Sequence, residues 1–195
     1  AADAIGNIAV HETVVRVEEP VSWSKPLGIV AMQLNSTFSS LAVDTADNSA
    51  HVVWGNTAGK GAESGIYYSQ LSSAAEFRVF AKRITQTVYN TKTPFVDAEN
   101  GVVHIVWQDD RDGNREIYYS QLRGSTTTID SLRVTFNSFD SKAPKVISKD
   151  AAVHVFWLDN REGSNVYDLY YAKLDFNGNK VLGDTKLVAN AAAFD

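Results

Sequence analysis

The chain has 195 residues, 44% of them apolar and 21% charged, with a formal net charge of −5. That length and balance suit one globular domain or one repeat array and argue against disorder. The acidic charge and the lack of any Lys/Arg-rich block exclude nucleic acid as a partner and disfavour an anionic membrane surface. No cysteine is present, which removes disulfides, zinc–thiolate sites and thiol nucleophiles. No apolar run reaches the roughly 18–20 residues that cross a bilayer, so membrane insertion is not expected.

The chain begins Ala-Ala-Asp without Met, as a chain does once a leader has been cleaved, so an exported protein, extracellular or on the cell surface, is expected. Asn35-Ser36-Thr37 is a glycosylation sequon that has meaning only in an exported chain. Residues 1–38 depart from the pattern of the rest, yet GIVAMQL at 28–34 aligns with GIYYSQL at 65–71, and Pro20-Val21-Ser22-Trp23 precedes it. This stretch is expected to be a degenerate three-strand unit or a segment used in assembly.

From there one text recurs three times. HVVW at 51–54, HIVW at 104–107 and HVFW at 154–157 are each followed by IYYSQL at 66–71, IYYSQL at 117–122 and LYYAKL at 169–174. The steps between the tryptophans are 53 and 50 residues. Thirteen residues before each Trp, an opening segment begins at Leu41, Pro94 and Pro144. Between segments lie turns rich in Gly, Asn and Asp, and each unit closes with Arg83-Ile84-Thr85, Arg133-Val134-Thr135 or Lys186-Leu187-Val188. Runs this short, β-branched and aromatic and bounded by turn residues, predict strands and leave no room for helices. Four antiparallel strands repeated about every 50 residues predict an all-β array of β-propeller blades, three full ones over 39–88, 89–138 and 139–195 plus the degenerate N-terminal one, forming one structural domain. So few units leave the end faces of the array uncovered, which predicts association with other copies.

The repeated side chains divide by chemistry. Trp54, Trp107 and Trp157 could stack on sugars, but their shared column inside an apolar strand predicts core. The Tyr pairs alternate across their strands, so one ring of each faces the interior. His51, His104 and His154 could gather a metal, but strands on separate blades hold them apart, and buried imidazoles bonded to a neighbouring loop are expected. Asp110, Asp112, Asn114 and Glu116 alternate like a calcium loop, with Arg115 where such a loop needs Gly. Contacts from Asp109 to Arg111 and from Asp159 to Arg161 are the plainer expectation, locking each hairpin. No nucleophile elbow, phosphate loop or zinc-binding His motif is present, and no catalytic, cofactor-binding or metal-binding residue is assigned.

The string PFVDAENGVVHIVWQDDRDGNREIYYS at 94–120, with LYYAKLDFNGNKVLGDTKLV at 169–188, resembles repeats of exported sialidase-like and cell-surface β-propeller proteins of bacteria and archaea. The resemblance covers about 150 residues and implies the architecture. Sialidases carry Asp-boxes and a cluster of arginines. No Asp-box occurs here, and Arg83, Arg111, Arg133 and Arg161 occupy repeat positions, so the resemblance does not imply the hydrolase activity. The expected function is a non-enzymatic extracellular module acting by self-assembly or surface display. A glycan-binding lectin is the alternative and a glycosidase the third reading.

Overall fold

The computed structural model describes residues 36–56, 65–85, 91–163 and 166–191. These form twelve strands and no helix. They are Ser36–Asp44 (β1), Ser49–Asn56 (β2), Gly65–Leu71 (β3), Phe77–Arg83 (β4), Lys92–Glu99 (β5), Val102–Asp109 (β6), Glu116–Arg123 (β7), Thr126–Arg133 (β8), Ser141–Lys149 (β9), Ala152–Asp159 (β10), Asp168–Asp175 (β11) and Lys180–Val188 (β12). They pair only with chain neighbours, giving three antiparallel sheets of four strands each. The all-β propeller architecture of four-stranded blades is therefore present. Apart from 36–38, which open β1, the segment 1–38 lies outside the described residues, as does Asn35 of the sequon.

The opening strands β1, β5 and β9 sit side by side and line the axis, with β4, β8 and β12 at the rim. The HxxW strands β2, β6 and β10 run next to them, and β6 is buried along its whole length. Each sheet has two faces of fixed role, because side chains alternate across a strand. The face bearing Trp107 and Tyr118 packs on the first blade through Val53, Ile66 and Tyr68. The face bearing Trp157 and Tyr170 packs on the second blade through Val106, Ile117 and Tyr119. So the Trp face looks back to the preceding blade and the His–Tyr face looks forward to the next.

The register corrects the alignment by Trp spacing. Opposite His51, His104 and His154 stand Ala42, Asp97 and Ile147. Counting back from these, the counterpart of Pro94 and Pro144 is Ser39, not Leu41. The reason is the first turn of each blade. Glu99 pairs with Val102 across Asn100 and Gly101, both at positive φ, the two-residue hairpin that matches strand twist. Asp44 pairs with Ser49 across a turn two residues longer, whose Ala46 N–H donates to Asp44 Oδ1 at 2.9 Å.

Polar groups tie the blades together at the end of the axis where these turns lie. Asp44 Oδ2 accepts from Gly101 N–H at 2.5 Å, and Asp97 Oδ2 accepts from Ser148 N–H at 2.5 Å and its hydroxyl at 2.8 Å. Glu99 Oε1 accepts from Asp150 N–H at 3.3 Å. These three carboxylates satisfy backbone donors that no ladder reaches.

Candidate functional site

Antiparallel order puts the starts of β1, β5 and β9, the ends of β2, β6 and β10 and the ends of β4, β8 and β12 on one common face. At its centre each opening strand breaks its ladder: pairing shifts between Thr37 and Ser40, between Lys92 and Phe95, and between Lys142 and Lys145. The bulged residues Thr93 and Ala143 have φ of 48° and 52°. A β-branched residue in the left-handed region is a real outlier, held there by its surroundings, and bulges re-aim side chains. Here each is followed by a proline, and Ala143 N–H is held by Gln108 Oε1 at 3.1 Å.

The three bulges enclose a pocket of about 210 Å³. Its lining repeats with the blades: Ser39, Pro94 and Pro144 in one ring, Ser40, Phe95 and Lys145 in the next, with Thr93 and Ala143 beside them. The Lys145 ammonium lies 4.4 Å from the centre of the Phe95 ring. Serine and threonine hydroxyls, one aromatic ring and one cation thus meet on the axis, and no carboxylate is among the described residues of the lining. Nothing in composition marks these residues; the only trace is a proline inside a strand, which signals a bulge.

The residues singled out by sequence sit elsewhere. Trp54, Trp107 and Trp157 are core, each stacked on the first Tyr of its blade (Tyr67, Tyr118, Tyr170) at 6.0–6.1 Å. His51, His104 and His154 bond through Nδ1 at 2.8 Å to Tyr68, Tyr119 and Tyr171, the second Tyr of the adjacent strand, rather than to a neighbouring loop. The diagonal cross-strand placement explains it, since His51 pairs with Gln70 and Tyr68 is two residues away. Burial lowers the pKa of His51, and lowers that of His104 to about 4.

The hairpin locks are present. Asp109 and Asp159 bind Arg111 and Arg161 at 2.5 and 2.7 Å and also accept from Trp107 and Trp157 Nε1 at 3.4 and 2.9 Å. The two guanidiniums lie 4.2 and 4.3 Å from the centres of the Tyr118 and Tyr170 rings.

The calcium-like loop has other occupants. Buried Glu116 accepts from Arg133 at 2.8 Å, from Asn114 at 3.0 Å, from Asn137 N–H at 3.1 Å and from the Thr135 hydroxyl. Asp112 takes the Tyr118 hydroxyl and Arg133 at 3.2 Å. Among the described residues no group of three His, Asp or Glu side chains is placed to hold a metal ion. Arg133 is the positive charge that Asp112 and Glu116 of this loop face.

No family model and no curated protein sequence matches the chain. Solved structures do. An α-L-arabinanase of Penicillium chrysogenum, complexed with arabinobiose, superposes with a TM-score of 0.56 at 11% identity, over 77% of this chain and 50% of its own. An exo-1,5-α-L-arabinanase from a bovine ruminal metagenomic library gives 0.51 at 13%, over 78% and 58%. An α-L-arabinofuranosidase of Lactobacillus brevis gives 0.50 at 10%, over 78% and 53%. The chain spans a little over half the length of the structures it matches. At these identities the likeness establishes the propeller fold and leaves the sialidase-like group resembled by sequence unassigned. It also overturns the expectation that the chain is not an enzyme, for the fold taken to mean display is shared here with glycoside hydrolases.

Proposed function

We propose that this chain acts on carbohydrate outside the cell, in the manner of the glycoside-hydrolase propellers it resembles, with the axial pocket as its sugar subsite. The convergence of three bulged strands on one pocket carries this reading. Sugar recognition asks for such a lining: an apolar ring against C–H groups and a few placed polar groups against hydroxyls. Phe95 offers the ring, Lys145 a donor, and Ser39, Ser40 and Thr93 both donors and acceptors. Hydrolysis needs in addition a pair of carboxylates about 5–9.5 Å apart. The described lining supplies binding, so turnover is tested on the whole chain.

The test titrates arabinobiose and xylobiose and follows aryl α-L-arabinofuranoside cleavage. A ligand at ten times its Kd stabilises the fold by about 1.4 kcal/mol, visible as a raised melting temperature. Phe95→Ala and Lys145→Ala should each weaken binding about tenfold or more, which corresponds to about 1.4 kcal/mol. Binding without cleavage reduces the assignment to a lectin. No binding, or binding indifferent to both substitutions, removes it.

A further inference from the structure

We infer that the forward face of the third blade docks the leading edge of the first blade of a second copy, head to tail. The repeat itself shows what such a face meets. In the second blade, His104, Val106 and Tyr119 are fully buried beneath the third blade. Their counterparts His154, Phe156 and Tyr171 are only half-buried, and Ile147 beside them is 56% exposed.

At the other end of the array, Trp54 is already buried, and the open part of the leading face is Leu41 and Val43, 73% and 51% exposed. Their counterparts in the next blade, Val96 and Ala98, are buried.

The occupant follows from pairing at equivalent positions. Where the inner strand carries Ala42, it packs against the apolar cluster that holds Ala98. Where it carries Asp97, it meets the backbone and hydroxyl of Ser148. Ile147 is the third residue of that series, and Val43 stands in the column of Ala98 and Ser148. An apolar Ile147 calls for an apolar partner, and the exposed Leu41–Val43 pair of another copy provides one. The contact joins unlike ends, so two copies close a ring or more extend a filament. It stands independently of the sugar reading, since neither end face lines the axial pocket.

Light scattering on the full chain over a concentration series tests it, with circular dichroism confirming the fold of each variant. The wild type should associate in multiples of the chain mass. Ile147→Asp and Leu41→Lys, each altering an exposed residue, should weaken association at least tenfold. Mixed in equal amounts, these two variants should recover one intact contact and form a heterodimer. A wild-type monomer at every concentration overturns the inference, as do variants that associate unchanged or a mixture that stays monomeric. A monomer with Tyr171 shielded from modification assigns the face to residues 1–35 and overturns it equally.

Discussion

Asp97 of the second blade binds both the backbone N–H and the hydroxyl of Ser148 in the third, across 51 residues of chain. The two groups join inner strands that share no ladder, so this contact fixes the height of one blade against the next. Asp97→Ala should cost about 2 kcal/mol, the scale of hydrogen bonds to a charged group. Urea unfolding measures it, and Ser148→Ala should cost less because the backbone N–H remains bound. Equal losses from the two variants would contradict this division.

The Trp–Asp–Arg–Tyr cassettes should behave as units. Asp159→Ala removes an acceptor shared by the Trp157 indole N–H, the Ser141 hydroxyl and Arg161, and leaves the guanidinium paired with Asp184 alone. The expected loss is about 2–3 kcal/mol, the scale of hydrogen bonds to a charged group, because Arg161 is partly exposed and keeps Asp184. Adding Arg161→Met to it should recover part of that loss, and a double-mutant cycle reads the coupling.

Replacing Trp107 removes the largest side chain between the first and second blades. Trp107→Ala should destabilise by about 3–5 kcal/mol through lost burial and the cavity left behind. Trp107→Phe should cost distinctly less. Calorimetry on the pair separates volume from the indole hydrogen bond.

His104 gives the fold a pH dependence of definite sign. Burial lowers its pKa from 6.5 to about 4, so the unfolded chain takes up a proton before the folded one does. Stability is full above pH 6.5 and falls as pH drops through the window between the two values, by about 3 kcal/mol at pH 4. His104→Gln should flatten that part of the profile in denaturant titrations from pH 7 to 4. An unchanged slope would assign the acid sensitivity to other groups.

The strands were legible because their signal is local: HIVW and IYYSQL combine β-branched and aromatic residues between turns, and β6 and β7 follow them within a residue or two. The Asp–Arg locks were legible for the same reason, lying two residues apart. What escaped is long-range or depends on counting through a turn. Asp97 and Ser148 look like ordinary surface residues until the blades stack. Trp spacing points to Leu41 instead of Ser39 because two extra residues in one hairpin shift the register without changing the apolar pattern. The axial pocket is built from positions that carry no motif, and its local signs are the strand prolines Pro94 and Pro144.

Each sheet draws all four of its strands from one stretch of chain, and among the described residues no ladder hydrogen bond joins one sheet to the next. Severing the polypeptide at either junction therefore orphans no strand. Only side-chain packing and a few polar ties would then hold the pieces, so the protein could be expressed as two complementing halves whose reassembly reports on the strength of a single seam.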